Sequence, residues 1–168
     1  MKFRQLILCL LFIFSCTKSK IGFKGDYDEF TNLEGSSSNS EIKKAPCEDG
    51  FAGEYPCKGY DLIAHISLSD FESESGNDSW GWTDSENQKE YVLMGLDDGT
   101  GFVDISDPEN PMFLGKLLSA TSKSIWRDIK VYKDHAFIVS EAENHGLQVF
   151  DLKKLRGVEE KKIFEFFK

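Results

Sequence analysis

Gly99-Thr-Gly-Phe-Val-Asp104-Ile105 returns as Gly146-Leu-Gln-Val-Phe-Asp151-Leu152, and the echo spreads in both directions from there. Trp80 recurs as Trp126 and Tyr91 as Phe137, each 46 residues on. Side chains alternate between the two faces of an extended strand, so a short alternating or apolar run bounded by turn residues reads as a strand. In the second copy, 125–131 alternates with period two, Tyr132-Lys-Asp134 is a turn, and His135–Ser140 is a second strand. A third strand is expected at 146–151 and a fourth at 162–167. The first copy keeps that order at 80–82, 91–95, 101–104 and Met112–Leu118, with the turn Ser106-Asp-Pro108 placing Asp and Pro where a type I turn prefers them. Blades of four short antiparallel strands, repeating every roughly 40 to 50 residues, predict an all-β chain of the β-propeller class.

The repeats, at about 80–118 and 125–167, fall inside a folded region expected at 46–168. One further apolar run, 62–68, begins 50 residues before Met112, which itself lies 50 before Lys162. That register makes it an orphan outermost strand, a closing strand whose inner partners belong elsewhere. Two blades and one orphan strand are too few for a ring of about four to eight blades. The pattern is therefore expected to be incomplete, the N-terminal part of a longer array, with assembly of several short chains into one ring as the rival.

The beginning of the chain carries an address. Lys2 and Arg4 precede an unbroken apolar run at 6–14, too short to cross a bilayer, which takes roughly 20 helical residues, but suited to a signal peptide over 1–15. Ile13-Phe-Ser-Cys16 resembles the lipobox of bacterial lipoproteins, which implies that Cys16 becomes the acylated N-terminus. The resemblance implies an exported, membrane-anchored lipoprotein, on the outer membrane, at the cell surface or facing the periplasm. Gly, Ser, Asn and Lys without apolar periodicity make 16–45 a disordered tether. A net charge of −9 without a basic stripe argues against nucleic acid as a partner.

With Cys9 in the leader and Cys16 the lipid site, Cys47 and Cys57 are left to pair, and export permits a disulfide between them. Zinc is the competing reading; it needs three or four N or S ligands, which the neighbouring sequence does not supply. Asp97 and Asp98 in one copy, and Glu141, Glu143 and Asn144 in the matching loop of the other, gather oxygens that could hold calcium, although the spacing departs from an EF-hand; solvated turn residues are the plainer reading. His65, His135 and His145 lack metal spacing and are expected to be structural, as are Trp80, Trp82 and Trp126, whose repetition suggests packing between blades. Asp134, His135 and Ser140 lie on one strand, where neighbours diverge and do not converge as a catalytic triad does. No catalytic residues or resident cofactor are expected.

The run 101–111, with Ser124-Ile-Trp-Arg-Asp-Ile-Lys-Val131, Cys47…Gly53-Glu-Tyr-Pro-Cys57, Trp80-Gly-Trp-Thr83 and His145-Gly-Leu-Gln-Val-Phe-Asp151, resembles the choice-of-anchor B family of secreted bacterial proteins with LVIVD-type propeller repeats. The resemblance covers about 46–156 and implies a surface or extracellular propeller with an interchangeable anchor. It carries no activity with it. The leading expectation is a binding or scaffolding module for a protein or glycan, presenting the loops at 96–100 and 141–145; the alternative is part of a propeller hydrolase or lyase whose site lies in other blades.

Overall fold

The computed structural model describes residues 44–165. The leader, Cys16, nearly all of the tether and the end of the 162–167 strand lie outside them. Within the described residues the regular structure is β, with no α-helix. Cys47–Glu48 (β1), Phe51–Ala52 (β2) and Tyr55–Pro56 (β3) form a small antiparallel sheet. The Cys47–Cys57 disulfide closes it, with the Cα atoms 5.9 Å apart. Gly50 at φ +87° permits the tight β1–β2 turn, a conformation that a side chain would penalise.

The first repeat folds in the order read from the sequence. Gly76–Thr83 (β4), Glu90–Leu96 (β5), Gly99–Asp104 (β6) and Met112–Leu118 (β7) run antiparallel, each beside the next. Its β6–β7 turn is held by Asp107, whose carboxylate accepts from the Glu109 amide at 3.0 Å and from Asn110 Nδ2 at 2.9 Å. This sheet is apolar on both faces. Tyr91, Leu93 and Phe102 belong to one core cluster, and Val92, Met94, Leu96 and Val103 to the other.

Arg127–Tyr132 (β8), His135–Ser140 (β9) and Leu147–Asp151 (β10) form a separate antiparallel sheet. It lays Ile129, Ala136, Ile138 and Phe150 against the Tyr91 and Phe102 side of the first sheet. Phe102 stacks on Phe150 with ring centroids 4.7 Å apart. Each large apolar side chain buried there stabilises the fold by about 1.5–3 kcal/mol. None of the three sheets closes on itself.

Two expected strands are placed differently. Lys162–Phe164 (β11) does not complete the second repeat beside β10; it pairs in parallel with β7, Lys162 opposite Gly115 and Phe164 opposite Leu117. The diversion begins at Asp151, whose side chain accepts from the Lys153 amide at 3.0 Å and starts a 3-10 turn over Leu152–Leu155. Leu152 and Leu155 are both buried in the core, so the chain turns under the sheets and away from the β10 edge. Phe164 then seats against Phe102 and Phe150 at 5.3 and 5.4 Å.

The second misplaced strand is 62–68. Only Leu62 makes a ladder contact, a bridge to Ala45, and the rest is irregular. Ile66 and Phe71 lie across the Val92 and Val103 face of the first sheet, where no backbone edge is offered. A strand needs such an edge for its N–H and C=O groups; the outer edge of β7 is already taken by β11.

The turn between β4 and β5 contributes an acid-sensitive tie. Asp84 is fully buried and accepts from Arg156 Nε at 2.6 Å and Nη2 at 2.8 Å, while Arg156 also pairs with Glu86. The hydrogen bonds from Arg156 are the main cause holding the Asp84 carboxyl below its ordinary range, against burial, which raises it. A carboxyl depressed on folding stabilises the fold above its unfolded pKa, and that contribution fades as pH falls through the folded value. Asp84→Asn is expected to flatten the loss of stability below about pH 4, read as urea midpoint against pH. An acid limb as steep as that of the unaltered chain would remove this tie from the account.

Candidate functional site

Strand alternation puts the β5–β6 turn, the β7–β8 loop and the β9–β10 loop at one end of the two larger sheets. The loops expected to be presented, 96–100 and 141–145, therefore lie at one rim, but only the second is open to solvent: Leu96, Asp97, Gly99 and Thr100 are buried, while Glu141, Glu143 and Asn144 are exposed. Arg127 joins them. It opens β8 on the same side as Ile129, the inward one, while Asp128 and Lys130 face solvent. Its side chain is 2% exposed and reaches between the sheets.

There Nε donates to the Leu96 carbonyl at 3.0 Å, and Nη1 donates to His145 Nε2 at 3.0 Å. A guanidinium has only donors, so His145 Nε2 must be bare. The ring proton then sits on Nδ1, 3.1 Å from the Gly146 carbonyl that accepts it. Nη2 has no partner, and no carboxylate pairs with Arg127 among the described residues. Burial pushes the guanidinium below its ordinary value, and the charges of Asp98 and Asp97 oppose that shift. Gln148, also buried, donates from Nε2 to the Leu118 carbonyl at 2.9 Å and makes a second cross-link between the sheets.

The proposed oxygen ligands are not gathered around one point. Asp97 accepts from the Glu74 and Ser75 amides at 3.1 and 3.4 Å and pairs with Lys123 at 3.0 Å. Burial works to raise its pKa, but Lys123 and the two amides outweigh burial and hold the carboxyl low. Asp98 pairs with Lys116 at 2.6 Å and accepts from Ser73 Oγ at 2.7 Å. These bonds fasten the 72–75 segment and the 119–124 loop to the first sheet. Glu141, Glu143 and Asn144 are exposed on the other loop, Asn144 at φ 59°, a conformation Asn tolerates. Among the described residues no group of three or more His, Cys, Asp or Glu side chains could hold a metal ion.

Beside this rim, a cleft of about 490 Å³ opens between the starts of β4 and β8 and the end of β9. Asn77, Asp78, Trp126, Asp128, Ser140 and Glu141 line it. Asp78 accepts from the Ile129 amide at 2.8 Å and so fixes β4 against β8. Trp126 is 57% exposed and Trp80 is 40% exposed, with Lys130 Nζ 4.6 Å above the Trp80 ring. The expected packing role of the tryptophans thus holds for Trp82 alone, which is buried and stacks on Tyr91. An exposed indole among carboxylates and an amide can stack and hydrogen-bond a ligand. It supplies no nucleophile paired with a base: Ser140 donates to the Trp126 carbonyl at 3.0 Å, and His135 lies at the other end of β9.

Arg127 was not singled out by its sequence context, because a charged residue is expected on the wet side of a strand. The signal was available in its phase with Ile129 and Val131. His65, the remaining histidine, lies near Tyr55 of the disulfide-closed sheet at 3.5 Å. No family model, curated protein or solved structure matches the chain.

Proposed function

We propose that the chain is part of a β-propeller of the choice-of-anchor B kind, held at a bacterial envelope through a lipid on Cys16, and that it serves as a binding or scaffolding module. The observation that carries the binding role is the exposed 141–144 loop, which Arg127, bonded to both Leu96 and His145, braces against the buried 96–100 turn on rigid sheets. The stacking of the sheets supports the propeller. Tyr91, Leu93 and Phe102 face the second sheet, and their repeat counterparts Phe137, Val139 and Val149 lie on the side of that sheet turned away, Val139 being 45% exposed. A further blade placed there would repeat the contact already made once.

A photo-crosslinking residue at Glu143, compared with one at Asn87 on the opposite rim, tests the binding role on intact cells. Adducts with another envelope protein or glycan from position 143 and none from 87 are expected; equal labelling from both would end the proposal. Adducts of the chain with itself report self-association and are scored apart. Mass measurement of the mature N-terminus tests the anchor, which an unacylated Cys16 excludes.

A further inference from the structure

The third strand of each repeat meets a different fate. β6 is paired along both edges, by β5 and by β7. β10 is paired with β9 alone, and among the described residues no strand adds to its other edge. The segment whose repeat position would close it is fastened to β7 as β11. Five residues, Leu147–Asp151, thus leave a row of backbone donors and acceptors open. Edge strands are commonly protected by proline, inward-pointing lysine or a bulge. The run Leu-Gln-Val-Phe-Asp carries neither proline nor lysine, and its pairing with β9 is regular throughout.

We propose that this edge is the seam of a homodimer, in which β10 of one copy pairs antiparallel with β10 of a second across a two-fold axis near Val149. A two-fold interface sets each end of the patch against the opposite end of its partner. The segments that flank β10 carry opposite charge. Glu141 and Glu143 precede it, and Lys153 and Lys154 follow it. Antiparallel pairing brings the acidic approach of each copy beside the basic exit of the other, twice over, whereas parallel pairing sets like beside like. Leu147, Val149 and Asp151 lie on the same face; across the seam Val149 meets its own copy and Leu147, 58% exposed in the single chain, lies diagonal to it. The pairing would give a continuous sheet of six strands. It is a separate matter from what the rim loops bind, and its readout is mass, not ligand.

Sedimentation of the full chain in mild detergent, over a range of concentrations, tests the seam. A dimer is expected. Leu147→Glu sets a carboxylate opposite Asp151 of the second copy without disturbing a buried group and is expected to weaken association about tenfold or more. Lys153→Glu with Lys154→Glu should weaken it by about tenfold, as should Glu141→Lys with Glu143→Lys, and the chain carrying all four should recover the dimer. A dimer indifferent to Leu147→Glu and to the charge swap uses another surface and overturns the proposal. A monomer overturns it too, whether the β10 amides exchange freely or are protected by a segment of the same chain.

Discussion

Gly115→Ala is expected to destabilise the folded region by about 3 kcal/mol, the loss of a buried phenylalanine added to backbone strain. Gly115 sits at φ +128°, and a Cβ there would come within 1.8 Å of the Lys162 carbonyl oxygen and 2.8 Å of the Lys162 nitrogen. Those atoms are backbone, so no side-chain rotation relieves the clash. Either β11 leaves β7 or β7 reshapes at Leu114, which bulges between the Phe102–Gly115 and Val103–Phe113 pairs. If β11 leaves, Phe164, 6% exposed, loses its edge-on contacts with Phe102 and Phe150 and opens the outer end of the intersheet core. Phe164→Ala is the matched control. It removes the ring and keeps the ladder, and is expected to cost about 3 kcal/mol as well. Urea unfolding measures both. The combined variant should cost little more than either alone, since the two changes remove the same contact. An unchanged midpoint for Gly115→Ala would show that β11 is not held on β7, and a fully additive pair would show that the glycine acts elsewhere.

The same segment shows what local pattern conveys and what it does not. The short apolar runs at 91–95 and 101–104, bounded by turn residues, sufficed for the first repeat, because each of its strands pairs with its sequence neighbour and short turns leave the chain few other choices. Lys162-Ile-Phe is equally strand-like, yet its partner is decided by Leu152 and Leu155, whose three-residue spacing buries both in one turn and redirects the chain. The 62–68 run is as apolar as a buried strand but lies across a sheet face, where there is no edge to join. Whether an edge is open depends on the rest of the fold and is not written in the run itself. Asp97 and Asp98 pose the same difficulty at the level of the site. Their clustering was visible, but Lys116 and Lys123, which hold them, come from β7 and the loop beyond it.

Arg127 provides the sharper test of how the rim is held, since its charge is costly and its bonds are useful in the same place. Arg127→Ala strands the Leu96 carbonyl and His145 Nε2 without donors and leaves a void, for an expected cost of about 3 kcal/mol. Arg127→Met keeps the stem's volume but removes a guanidinium that is 2% exposed and lacks a carboxylate partner among the described residues. Taking away a poorly compensated buried charge recovers desolvation energy, so this variant is expected to cost only about 1 kcal/mol. Amide exchange at 96–100 and 145–148 should rise in both, because either change unfastens the two loops from one another. Equal losses for alanine and methionine would mean that the forked hydrogen bonds dominate and that the missing partner of Nη2 is no burden. Should exchange in the two loops stay unchanged in both variants, Arg127 is not their brace, and the rim owes its shape to Gln148 and the Lys116 and Lys123 ion pairs instead.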